Sequence, residues 1–158
     1  MRLHVKMLEG GRAPEYKSAQ ASGMDCFAGV GGVVPGATFR VGGLSDRVYI
    51  SRLVVPLGFC VEVPAMYAGQ RYEGQIRPRS GMARDLGVVE YWGTIDADYR
   101  GEVSAMLFNY GSEDFAFEAG DRLCQMVIAP VQRAVVWVVD ELTQSERGDG
   151  GFGSSGMR

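Results

Sequence analysis

Five short stretches of the 158-residue chain mix glycine with Asp, Arg, Ser, Gln or aromatic residues. They are SGMDCFAG (22–29), RPRSGMA (77–83), GTIDADYRGEV (93–103), AGDRLCQMVI (119–128) and RGDGGFGSSG (147–156). Arg offers a planar fork that suits phosphate oxygens. Asp offers a proton acceptor, or a hard oxygen ligand for a divalent cation. Each stretch taken singly also reads as a turn. Ser80 is placed to cap a helix that follows PRSG. The Asp residues of GTIDADYRG can bond the backbone of a hairpin, and AGDRL can turn tightly into a strand. The RGD tripeptide matches a cell-adhesion signal, but residues 1–20 hold no secretory core that would carry it outside.

The rest of the composition removes other chemistries. His4 is the only histidine, and Cys26, Cys60 and Cys124 stand far apart with no CxxC. The usual zinc sites are excluded, as is a Ser-His or Cys-His pair that does not use His4. His4 itself, near the terminus, reads as exposed and inert. The formal net charge of −3 gives no global field that attracts nucleic acid or an anionic membrane. An anionic ligand must therefore be held by a local cluster or by a metal ion. No apolar run reaches membrane-spanning length, and the unpaired cysteines suit a reducing cytoplasm, the expected location.

The elements that position these stretches are expected to be strands. The chain is 46% hydrophobic and 22% charged, and long enough for one domain with a real core. RVYISRLVV (47–55) and FCVEV (59–63) alternate or run β-branched. EVSAMLF (102–108) puts Val103, Ala105 and Leu107 on one face. AVVWVV (134–139) reads as a strand buried on both faces. Turns are expected at 29–37, 41–43, 56–58, 109–114 and 118–121. Only SGMARDLG (80–87) invites a helix, of two turns at most. The doubled unit YAGQR/YEGQI (67–76) reads as a lengthened hairpin. Many short strands with regular turns give an all-β sandwich, jelly roll or barrel. The last eleven residues hold five glycines, too many for a helix or packed strand.

Taken together and in this order, the five stretches resemble the five motifs of the homotrimeric all-β deoxyuridine triphosphatase (dUTPase) family. The resemblance runs from about residue 5 to the end. It implies a distorted jelly roll (residues 1–144), a Gly-rich C-terminal lid (145–158) and a homotrimer whose active sites are shared between subunits. It also implies hydrolysis of dUTP to dUMP and pyrophosphate with Mg²⁺; the charge balance adds the expectation of no nucleic-acid or membrane partner.

The resemblance assigns roles residue by residue. Asp96 matches the catalytic carboxylate that orients and deprotonates a water; Asp98, by strand alternation, is expected to face away from it. Tyr99 matches the ring that lies against the deoxyribose and rejects a 2′-hydroxyl. Arg79, Ser80, Gly81 and Gln125 match phosphate contacts. Asp25 matches the carboxylate that holds Mg²⁺ through its water shell. In the tail, Arg147 matches the γ-phosphate contact, Phe152 the ring stacked on uracil, and Gly153, Ser154 and Ser155 further phosphate donors.

Three features depart from the family pattern. Gly87 to Gly93 encloses only VVEYW, without the Asn that helps order a uracil pocket. Cys26 stands where Leu is usual. Residues 40–76 read as extra length on a surface loop, which is also a possible protein-binding surface. The alternatives to dUTP hydrolysis are a regulatory binding protein on the same scaffold and a dCTP deaminase relative.

Overall fold

The computed structural model describes residues 1–40 and 47–150. Its elements, in chain order, are β1 (His4–Met7), β2 (Met24–Phe27), β3 (Gly32–Val34), β4 (Thr38–Arg40), β5 (Arg47–Tyr49), β6 (Ser51–Glu62), β7 (Met66–Tyr67), β8 (Gln70–Pro78), α1 (Ser80–Leu86), β9 (Val88–Glu90), β10 (Gly93–Ile95), β11 (Glu102–Asn109), β12 (Phe115–Phe117) and β13 (Arg122–Val131). One sheet runs β1-β6-β11-β9; a second runs β10-β8-β13-β2, with β7 added to β8. Two small ribbons, β12–β3 and β4–β5, complete the architecture. Every pairing is antiparallel.

The core lies between the two sheets and follows the period-two pattern. Val103, Ala105 and Leu107 of β11 and Val55, Leu57, Phe59 and Val61 of β6 point inward and are buried. They meet Ile76, Leu123, Cys124 and Met126 of the second sheet in one cluster. The helix expected over 80–87 is α1, and it ends at Gly87 in the left-handed region (φ 67°).

The Tyr-x-Gly-Gln repeat divides between two structures. Its first copy forms the β7–β8 hairpin, with Tyr67 opposite Gln70 and a two-residue turn at Ala68 and Gly69. Both turn residues have positive φ (49° and 79°), as the favoured hairpin turn requires. The second copy lies within β8.

Three expectations are corrected. The stretch 56–58 is not a turn between two strands but lies inside β6. Opposite it the β11 register shifts between Glu102 and Ser104, and Gly58 takes φ 71°. A bulge absorbs the irregularity: Gly58 N–H donates to Glu102 Oε1 at 3.0 Å, and its carbonyl accepts from Leu8 N–H at 2.9 Å. Residues 40–76 are not an insertion on a surface loop. β6 and β8 pair with β11 and β13 and carry much of the core, which leaves the surface hairpin at 66–70 and the β5 segment as the outlying parts. Residues 41–46 lie outside the described residues.

The third correction concerns AVVWVV. The last described strand ends at Val131, well before residue 144, and residues 132–139 belong to no helix or strand. Val135 is 90% exposed and Trp137 83%. An apolar run reports that water is disfavoured there; it does not say which surface covers it.

Candidate active site

Three of the five stretches meet at one corner of the second sheet. β2 carries Asp25 and β13 carries Gln125 directly opposite it. β8 runs beside β13 and leads through Pro78 into Arg79 and α1. Asp25 Oδ2 lies 3.1 Å from Arg122 Nη1, and its Oδ1 lies 3.8 Å from Arg79 Nε. Arg79 Nη1 also donates to the Arg122 carbonyl at 2.8 Å. Gln125 Nε2 donates to the Pro78 carbonyl at 3.0 Å. Gly23 makes this packing possible, since a Cβ there would fall 2.4 Å from Gln125 Oε1. Two guanidiniums against one carboxylate leave the corner net positive, which suits an anion.

Ser80 does not cap the helix. The cap is Arg79, in extended conformation (φ −95°, ψ 124°), with no side-chain cap bond. The Arg79 carbonyl accepts the first helical bond, from Ala83 N–H at 3.3 Å, which places Ser80 inside the first turn. The Ser80 hydroxyl is therefore exposed and free of a capping duty. Gly81 beside it is also exposed, and a Cβ there would meet no atom within 4 Å.

The GTIDADYRG stretch stands elsewhere. β10 pairs with β8 at Gly93↔Ile76, Thr94↔Gln75 and Ile95↔Gly74. It then enters a turn closed by Tyr99 N–H donating to the Asp96 carbonyl at 3.0 Å. Asp96 and Asp98 line one cavity of about 630 Å³, together with Arg71, Glu73, Arg100 and Arg133. The expectation that Asp98 faces away from Asp96 rests on strand alternation, which stops with the strand at Ile95, and both residues border the same cavity. The Tyr99 hydroxyl donates to the Glu102 carbonyl at 3.0 Å. Gly101 leaves room for that ring, because a Cβ there would lie 2.4 Å from the hydroxyl.

Asp96 and the Arg79 corner stand apart along β8: Asp96 follows the partner of Gly74, near the middle of the strand, and Arg79 follows its last residue. Arg79 lies five residues beyond Gly74, the partner of Ile95, or about 17 Å of extended chain. The described part of the tail ends at residue 150. Arg147 is exposed, and its Nε donates to the Gly150 carbonyl at 2.7 Å within a local turn. Phe152, Gly153, Ser154 and Ser155 lie outside the described residues.

Two features, one in the site and one in the core, are not legible as such in the sequence. Arg122 stands in a quoted stretch, yet nothing in AGDRL says that it pairs with a carboxylate 97 positions away. Glu90, in the shortened VVEYW segment, is 2% exposed and its Oε2 has no hydrogen-bond partner. Burial pushes its pKa up to about 8, against the opposing effect of a backbone bond from Met106.

A sequence model of the dUTPase family matches residues 50–156. The deoxyuridine 5′-triphosphate nucleotidohydrolase of Syntrophotalea carbinolica is 44% identical over 161 residues, covering 99% of this chain and 94% of its own length. Among solved structures, a variant of the Staphylococcus bacteriophage 80alpha dUTPase with dUpNHpp is 25% identical, with a TM-score of 0.79 and 99% of each chain covered. A variant dUTPase from phage phi11 of S. aureus, in which coordination of a structural Mg(II) ion is described, is 21% identical with a TM-score of 0.72, covering 91% of this chain and 100% of its own. Motif order, fold and full-length similarity converge, and the chain belongs to the dUTPase family.

Proposed function

We propose that this protein hydrolyses dUTP to dUMP and pyrophosphate by attack of water at the α-phosphorus. It thereby supplies dUMP for thymidylate synthesis and keeps uracil out of DNA. The observation that carries the reading is the net-positive corner in which Asp25, Arg79 and Gln125 meet beside the free Ser80 hydroxyl. Arg79 and Gln125 bind phosphate oxygens there, Ser80 bonds the α-phosphate, and Gly81 lets the backbone approach. Asp96 orients the attacking water and accepts its proton as the new bond forms. Tyr99 walls off the 2′ position of the sugar. Arg147 reaches the γ-phosphate while Phe152 covers the base, and Gly153, Ser154 and Ser155 add donors, so the tail acts as a lid.

The residues present suit Mg²⁺. Among the described residues no group of three or more His, Cys, Asp or Glu is placed to hold a metal. One carboxylate, Asp25, is available at the corner, which fits an ion that keeps its waters and takes oxygens from the phosphates. Asp25 would hold it through that water shell. When bound, the ion supplies charge neutralisation on the triphosphate.

The site is built between subunits of a homotrimer. Two observations support this. Asp96 is separated from the Arg79 corner by about 17 Å of β8, too far for both to serve one phosphorus. The exposed run 134–139 also needs a cover that the described residues do not provide.

The test is pyrophosphate release from dUTP, dTTP, dCTP and UTP by the parent and by Asp96→Asn. Preferred turnover of dUTP, reduced by roughly 10²–10⁴-fold in the variant, supports the reading. Near-parental turnover by a folded Asp96→Asn protein would overturn it, and ammonia release from dCTP would favour a deaminase instead.

A further inference from the structure

The turn that carries Asp96 and Tyr99 is held from outside by a guanidinium. Arg100 Nη1 donates to the carbonyls of Ala97 at 2.7 Å and Tyr99 at 2.8 Å. Its Nη2 lies 3.2 Å from Glu62 Oε1, at the end of β6. Glu62 is in turn steadied by β1: His4 is its register partner, and His4 Nδ1 lies 3.3 Å from Glu62 Oε2. One side chain thus ties two carbonyls of a four-residue turn to a strand of the other sheet.

We propose that Arg100 is a positioning residue for the hydrolysis, anchored by Glu62 and acting through the turn that presents Asp96. The inference rests on the role assigned to Asp96 in the proposed function. Three features of the geometry carry it. The turn has one internal backbone bond, Tyr99 N–H to Asp96 C=O, so its carbonyls at 97 and 99 need an outside donor or water. A planar fork with several fixed N–H groups can serve two carbonyls and a carboxylate at once, which a lysine cannot reproduce. Asp96 and Arg100 line the same cavity, so a shift of the turn moves the carboxylate within the space where it would act.

The contacts are exposed. Arg100 and Glu62 keep 53% and 51% of their side-chain surface, so the clamp contributes little to global stability. Its effect should appear in the rate. Misplacement of a catalytic group by about 1 Å can cost on the order of 10²-fold.

The experiment compares Arg100→Met, Arg100→Lys, Glu62→Gln and the double variant Arg100→Met/Glu62→Gln with the parent. The readouts are dUTP turnover, KM and melting temperature, with Asp96→Asn alongside. Arg100→Met is expected to lower kcat by about 10–100-fold with a nearly unchanged melting temperature. Arg100→Lys should recover part of the loss, and Glu62→Gln should lower kcat by less than Arg100→Met. Because Glu62 acts through Arg100, its substitution should add nothing in the Arg100→Met background. If Asp96→Asn abolishes turnover but Arg100→Met stays within about twofold of the parent, the clamp has no such role and the proposed function stands. A full additional loss from Glu62→Gln in the Arg100→Met background also overturns the inference. If Asp96→Asn itself retains turnover, the failure lies with the proposed function.

Discussion

Cys124 stands directly opposite Cys26 in the β13–β2 register, and both thiols are fully buried in the core between the sheets. The Cys26 thiol beside it, then burial, and to a lesser degree the Glu90 carboxyl push the Cys124 pKa up. Glu90, the one buried carboxylate among the described residues, is held mainly protonated at neutral pH by its burial.

This sets a pH dependence of stability. The Glu90 pKa is raised on folding, from 4.5 to about 8. The folded state therefore binds a proton that the unfolded chain releases above pH 4.5. Its contribution is fully present below pH 4.5 and is lost as pH rises through about 8. At pH 7 the loss is on the order of 3 kcal/mol. Glu90→Gln removes the ionisation. Its denaturant midpoint should exceed that of the parent at pH 8, and the difference should shrink or reverse by pH 4.5. Parallel pH profiles for parent and variant would show that Glu90 does not titrate in this way.

Gly81 separates folding from function. A Cβ there meets nothing within 4 Å, and the residue lies in the first turn of α1. Gly81→Ala should raise stability by up to about 1 kcal/mol, through helix propensity. If phosphate approaches the backbone at this point, kcat/KM for dUTP should fall by about tenfold or more, as a methyl group placed in a filled contact does. A melting curve and a dUTP assay on the same preparation check both directions.

Tyr99 is expected to control the choice of sugar. Its ring is fixed by the hydroxyl bond to the Glu102 carbonyl and by the open face of Gly101. The parent should turn over dUTP far faster than UTP. Tyr99→Ala should narrow that ratio, chiefly by losing dUTP activity and admitting UTP. Competition assays with the two nucleotides measure the ratio directly; an unchanged ratio in a folded variant would remove Tyr99 from the sugar pocket.

The sequence disclosed what depends on local periodicity and hid what depends on distant partners. Alternation along a strand puts Val103, Ala105 and Leu107 on one face, and the structure shows that this face is the buried one. The short helix after PRSG was equally legible. The bulge at Pro56–Gly58 was not, because Pro and Gly signal a turn unless a partner strand absorbs them. The burial of AVVWVV was read from apolarity alone, and within the chain the segment is exposed. In the candidate site, family motifs brought out Asp25, Arg79 and Asp96. They did not bring out Glu62, which meets Arg100 across 38 positions of sequence.

The separation along β8 gives the most decisive test of who owns which part of the site. Ile95 pairs with Gly74, Asp96 follows Ile95, and Arg79 follows Pro78 at the far end of the same strand. One chain therefore presents its carboxylate and its phosphate corner about 17 Å apart. If both serve one α-phosphorus, they must come from different chains. Asp96→Asn and Arg79→Ala should each give an inactive homotrimer. Unfolded together and refolded at equal concentration, the two chains should mix at random. A complete site then needs Asp96 from an Arg79→Ala chain and Arg79 from an Asp96→Asn chain. Two independent draws of about one half give roughly a quarter of parental sites, for a closed symmetric trimer. Recovery of dUTPase activity to that level, above the sum of the two homotrimers, supports a shared site. If the two residues acted within one chain, no mixture would contain an intact pair. Absence of recovery, with mixed trimers verified by native mass spectrometry, would therefore place the whole site on a single subunit and require β8 to bend far from its extended form.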